Sequence, residues 1–160
     1  MLNLRLKKSS LLFLILTVLS ALFFISNSLV SGDASTSQSG FFVSLVANNI
    51  LHTSDPNILS VLTTIVRKLA HFTEFALFFG FFNSFMISHT EYKNRAYYFL
   101  TFFLILLLPL IDETVQYLSP GRTPQVYDIW VDAAGGIFGV VISGVIFMLV
   151  CKKLLKDKKI

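Results

Sequence analysis

The chain carries one cysteine, Cys151. It therefore has no internal disulfide and no cysteine-built zinc motif, and Cys151 reads as inert. There is no serine elbow, no glycine loop of the kind that cradles phosphates, and no dense metal-ligand motif. No internal repeat is visible. Charge is scarce: 14% of residues are charged against 54% hydrophobic, a balance that favours a membrane environment over a soluble domain. The net charge of +4 gathers in tails beside apolar runs, where it reads as contact with anionic lipid, not as a nucleic-acid site. Long apolar runs are what the chain does have. Four of them, residues 11–30, 69–88, 97–118 and 126–150, reach the ~20 residues that cross a hydrocarbon core as a helix. Open strands are excluded, because lipid cannot satisfy their backbone groups.

The expected fold is an all-α integral membrane protein: a bundle of four transmembrane helices in one domain, residues 1–160, with an outer interfacial helix. Arg5, Lys7 and Lys8 precede the first run, Lys93 and Arg95 separate the second from the third, and Lys152, Lys153, Lys156, Lys158 and Lys159 follow the fourth. With four spans these groups share one side, so both termini are expected in the cytoplasm. The first run is read as a signal anchor, since no small-x-small cleavage site follows it.

Local signals refine this outline. Residues 31–39 are small and polar and read as an external loop. Phe41, Phe42, Leu45, Val46 and Ile50 then fall on one helical face, the mark of a helix lying in the outer membrane surface. Asp55-Pro56 reads as a helix cap and first turn, and Thr123-Pro124 as another. Pro109 interrupts the third run just before Asp112 and is expected to kink it. On the second run, Thr73, Ala76, Gly80 and Ser84 form a small face for helix packing, while Phe72, Phe75, Phe79 and Phe82 form a stripe expected to meet lipid.

The same topology brings the polar residues to one depth. His71 and Glu74 lie in the outer third of span two, Asp112, Glu113 and Gln116 near the outer end of span three, Arg122 in the loop, and Asp128 and Asp132 in the first turns of span four. Ionisable groups at such depths are costly and mark function. His71-x-x-Glu74 admits three readings: a metal half-site, a general-base pair, or a polar contact among Arg67, Glu74 and His71. One histidine with carboxylates suits zinc or manganese poorly, whereas oxygen ligands suit a hard divalent cation. Asp112 and Glu113 are a candidate acid and base. Pro120-Gly121 suits a tight turn presenting Arg122 either to a phosphate or carboxylate or to a neighbouring aspartate as an internal lock. A helix N-terminus accounts for Asp128. Asp132 shares a face with Gly135, Gly136, Gly139 and Ser143 and should point into the bundle, with His71 and Arg122 as available partners. The candidate catalytic residues are thus His71, Glu74, Asp112 and Glu113, and the candidate ligand-binding residues Arg67, Gln116, Arg122, Asp128 and Asp132.

Asp112-Glu113-x-x-Gln116, Gly121-Arg122 and Asp128-x-x-x-Asp132-x-x-Gly135, together with Arg67-Lys68-x-x-His71-Phe72-x-Glu74 and Ser26-Asn27-Ser28, resemble the VanZ-like family of small bacterial membrane proteins. The resemblance runs from residue 24 to about residue 144. It implies a role at the outer face of a bacterial membrane and in susceptibility to the glycopeptide teicoplanin, acting on an envelope lipid or cell-wall precursor. Three mechanisms stay open: a non-catalytic binder or assembly partner, a hydrolase or transferase on a lipid-linked phosphate, and a small transporter with titrating carboxylates. The lipid bilayer is the expected partner; the sequence assigns neither a cofactor nor a metal.

Overall fold

The computed structural model describes residues 2–89, 95–122 and 125–157, with side chains from residue 9 to residue 152. Every regular element among them is a helix: α1 (Leu2–Ser28), α2 (Gly32–Val46), a π turn (Ala47–Leu51), α3 (Pro56–His89), α4 (Arg95–Leu118) and α5 (Val126–Asp157). Three stretches, Ser9–Ser28, Arg95–Leu118 and Val126–Lys152, are long and apolar enough to cross a membrane. α3 falls outside that set because His71, Glu74 and Asn83 interrupt its apolar run. The expected cap Thr123-Pro124, the linker around Lys93 and the side chains of Arg5, Lys7, Lys8 and the lysines after Lys152 lie outside the described residues.

α3 starts as its sequence implies. Asp55 Oδ1 accepts from the Asn57 amide at 2.8 Å, and Pro56 takes the first helical position, where its missing N–H costs nothing. α4 continues through Pro109, which is fully buried. Hydroxyls within the apolar helices bond back to carbonyls one turn earlier, as Thr17 does to Phe13 at 2.7 Å and Thr101 to Tyr97 at 3.0 Å, so they need no partner from lipid.

α3 is the centre of the bundle, packed between α1 and α5. Paired residues give the directions. Phe24 meets Phe78 and Asn27 meets Glu74, so α1 runs antiparallel to α3. Phe72 lies against Gly135, Ala76 against Gly139, and Asn83 against Ser143, so α5 runs parallel to it. His71 faces Asp112 and Asn83 bonds Tyr97, so α4 is antiparallel again. At Gly135 and Gly139 the α3 and α5 backbones touch: an added Cβ would stand 2.2 Å from the Phe72 carbonyl oxygen or 2.1 Å from that of Ala76. The small face is thus an interface, as small-x-x-x-small spacing implies.

Two sequence expectations are corrected. Residues 31–39 are not a loop. Ser31 caps α2, its Oγ accepting from Ala34 N at 3.4 Å, and Thr36 and Ser39 bond back to the carbonyls of Gly32 and Ser35. Small polar residues, read as turn formers, here satisfy their hydroxyls inside a helix. The phenylalanine stripe does not face outward either. Phe75 and Phe79 are both 0% exposed and form the core with Phe24, Phe78, Ile105 and Ala133, with ring centroids 5.3 Å apart for Phe24–Phe75 and 5.0 Å for Phe78–Phe79. The close α3–α5 approach turns these rings into the gap towards α1 and α4. Leu11, Leu22, Phe99, Phe102, Ile142 and Leu149 cover the outside, an apolar surface far larger than a soluble monomer exposes.

Candidate functional site

At the end of the bundle where α1 finishes and α5 begins, the polar residues of all four long helices meet. The turn between α4 and α5 organises this end. Arg122 N donates to Ser119 O at 3.3 Å, and Gly121 has φ +74°. Pro120 and Gly121 thus occupy the central positions of a type II turn, whose third position favours glycine. Gly32 N donates to Pro120 O at 3.0 Å, which ties the start of α2 to the same turn.

Arg122 spends its guanidinium on the end of α1. Nε donates to Val30 O at 3.0 Å, Nη2 to Asn27 O at 3.0 Å, and Nη1 to Gln116 Oε1 at 2.7 Å. Ser119 Oγ adds a bond to Ser28 O at 3.1 Å. The last carbonyls of a helix have no partners within it; here the turn supplies them. The expected internal lock is therefore made with carbonyls and an amide. Among the described residues no carboxylate pairs with Arg122 or with Arg67. Burial, and next the neighbouring Arg67 cation, lower the Arg122 pKa from its ordinary value, and a guanidinium stays charged through such shifts.

Gln116 passes this order inward. Its Oε1 faces Arg122, so its Nε2 must face Asp112, and it donates to Asp112 Oδ2 at 2.5 Å. The other Asp112 oxygen accepts from the Ser28 hydroxyl. Beyond Asp112 stands His71, with Nδ1 3.9 Å from Asp112 Oδ2 and 3.5 Å from Asp132 Oδ1. Asp132 is 0% exposed, as the glycine face of α5 implies. Arg122 does not reach it.

The remaining candidates separate into other roles. Glu74 accepts from Asn27 Nδ2 at 2.7 Å, which joins α3 to α1. Glu113 is turned away from His71 and accepts from the Gln125 amide at the start of α5, where unpaired amides favour a carboxylate. Asp128 pairs with Lys68, whose ammonium also stands 4.9 Å from the Tyr127 ring centre. Of the four candidate catalytic residues, then, His71 and Asp112 adjoin each other, and Asp132 completes their group.

A cleft of about 390 Å³ opens beside this group, between α1, α2 and α3. Phe23 and Phe42 give it apolar walls, Ser35 and Gln38 a polar one, and Arg67, His71, Glu74 and Arg122 line its floor. The contribution of α2 was invisible while residues 31–39 read as a loop; the three-residue spacing of Ser35 and Gln38 is the signal that would have found it. A second polar group, also unforeseen, lies at the other end. Asn83 Nδ2 donates to Ser143 Oγ at 2.7 Å and to Val140 O at 3.2 Å, and its Oδ1 accepts from Tyr97. A lone amide inside an apolar run was the available clue.

No curated protein and no solved structure matches the chain. A family model does, over residues 11–148, and since that is most of the sequence the chain belongs to the VanZ/LLP1 family.

Proposed function

We propose that the cleft binds the phosphate-bearing headgroup of an envelope lipid or lipid-linked cell-wall precursor at the outer face of a bacterial membrane, and that the protein lowers teicoplanin susceptibility by this binding. The observation that carries the reading is the pair Arg67 and Arg122. Both line the cleft, and neither pairs with a carboxylate among the described residues. Arg122 has three of its N–H groups engaged of the five a guanidinium carries. Cationic forks without counter-ions suit phosphate oxygens, and the phenylalanine walls suit the adjoining hydrocarbon. Arg67→Gln removes one fork and breaks no ion pair. It is expected to keep the wild-type melting temperature and to bind a polyprenyl phosphate about tenfold more weakly in detergent, the loss of one charge-assisted bond. Teicoplanin susceptibility in cells should rise with it. Unchanged affinity for the phosphate would remove the reading. Hydrolysis or transfer on the same phosphate is the second reading, favoured by His71 standing at the cleft beside two aspartates.

The reading includes four spans, with α3 as the second, α2 and the π turn lying at the outer surface, and both termini cytoplasmic. Support comes from levels along the bundle: His71 is level with Asp132, and Asn83, about 18 Å further along the helix, is level with Ser143. Over that length α3 runs beside α5, which supports its crossing the same layer. Its His71, Glu74 and Asn83 face neighbouring helices, which lowers its hydropathy without exposing those groups to lipid. In a Cys151→Ser background, Ser37→Cys is expected to react with an impermeant maleimide on intact cells and Lys93→Cys to stay unlabelled. If α3 did not cross, both positions would share a side and label alike.

A further inference from the structure

We propose that His71, Asp112 and Asp132 hold a divalent cation of the zinc or manganese type. The three residues come from α3, α4 and α5, and each offers one atom within 4.8 Å of the others'. The 3.5 Å from His71 Nδ1 to Asp132 Oδ1 is long for a hydrogen bond. It is the separation expected of two ligand atoms on one tetrahedral ion, about 3.4 Å for bonds near 2.1 Å.

The unpartnered atoms point the same way. His71 Nδ1 and both Asp132 carboxylate oxygens are buried, and none has a hydrogen-bond partner among the described residues. Asp132 is wholly enclosed with His71 Nδ1 close by, at 3.5 Å, and a buried carboxylate so placed is sustained by neutralisation, by an imidazolium beside it or by a bound cation shared with that nitrogen. Two carboxylates and a dication sum to zero charge, so the filled site carries no net charge into the bundle. Asp112 is held as ligating carboxylates usually are, with Ser28 and Gln116 bonded to it and Arg122 fixing Gln116 from behind.

The donor set selects the ion. An imidazole nitrogen disfavours magnesium and calcium, and two carboxylates disfavour soft copper(I); zinc and manganese accept both donors. One histidine with carboxylates is a poor set for these ions on donor type alone; geometry is what favours one here, since Glu74 turns to Asn27 while Asp112 and Asp132 bring carboxylate oxygens beside His71 Nδ1. Three protein ligands leave a position open for water or a ligand oxygen, and His71 also lines the cleft, which places the ion next to it. The inference stands without the lipid reading, because it is tested by ion binding to the purified chain alone.

The test uses the full chain without a histidine tag, in detergent, stripped with a chelator and titrated with Zn²⁺, Mn²⁺ or Mg²⁺. One Zn²⁺ or Mn²⁺ per chain by elemental analysis, with a rise of about 5 °C in melting temperature at saturation, is expected, and no rise with Mg²⁺ at the same concentration. Asp132→Asn keeps the shape and removes the charge. It should melt cooperatively without added ion, lose the ion-dependent shift, and bind Zn²⁺ over about 100-fold more weakly, beyond the loss typical of a residue that only supports a ligand. His71→Gln should do the same, and serves alone if the first variant fails to fold. Asp55→Asn, on the far side of the α3 start, should leave binding intact. No bound ion, an equal shift with Mg²⁺, or binding indifferent to both site variants would overturn the proposal.

Discussion

Gly139→Ala is expected to destabilise the bundle by about 3 kcal/mol, at the upper end of what overpacking costs. The new methyl would stand 2.1 Å from Ala76 O and 2.9 Å from Gly80 N. Backbone atoms cannot rotate aside as a side-chain tip can, so the two helices must separate. Separation weakens contacts along the whole seam, since dispersion attraction falls steeply over the first ångström of gap. Gly144→Ala lies five residues further on the same helix, with nothing within 4 Å of its added methyl. It should leave stability unchanged or raise it by about 0.5 kcal/mol through helix propensity. Thermal melting of both variants in one detergent makes the comparison. Equal melting temperatures would mean that α3 and α5 do not meet at Gly139.

Arg122→Ala is expected to cost about 3 kcal/mol, and Asp128→Asn should not restore it. The loss leaves Asn27 O, Val30 O and Gln116 Oε1 without their donor. Bonds from a charged donor contribute roughly 1.5–3 kcal/mol each, and partial exposure of this turn reduces the total. Arg122→Lys should recover only part, because an ammonium cannot span three acceptors on two helices. Asp128 offers no rescue because its partner is Lys68; neutralising it only breaks that pair. A double-mutant cycle on melting temperature decides the matter. Restoration by Asp128→Asn would show that Arg122 and Asp128 are coupled, against the bonds described above.

Much of this was legible in the sequence, for reasons that also explain the failures. Apolar length marked α1, α4 and α5, and Asp55-Pro56 marked the start of α3. Gly135 and Gly139 disclosed which face of α5 is covered, hence where Asp132 lies, because only small residues permit backbone contact. Pro120-Gly121 disclosed its turn. Hydropathy could not separate Phe75 and Phe79 in the core from Phe99 and Phe102 outside, which are 73% and 63% exposed. In a chain built for lipid both surroundings select the same side chain. Arg122 was matched with acids because acids are visible as letters; the carbonyls it bonds belong to every residue and are not. The helical nature of residues 32–39 was hidden because serine and threonine form both turns and helix back-bonds, and only the surroundings choose.

The backbone contact between α3 and α5 bears also on temperature. With α3 crossing the bilayer beside α5, as proposed above, joining the two helices releases no ordered water, and close packing provides the attraction instead. The heat-capacity change that makes water-driven cores weaken on cooling comes from hydrating apolar surface. A seam of glycine, alanine and carbonyl groups that passes from protein neighbours to lipid neighbours lacks that contribution. The union of these two helices should therefore tighten steadily as the membrane cools, and the polar cluster they carry should be best ordered in the cold.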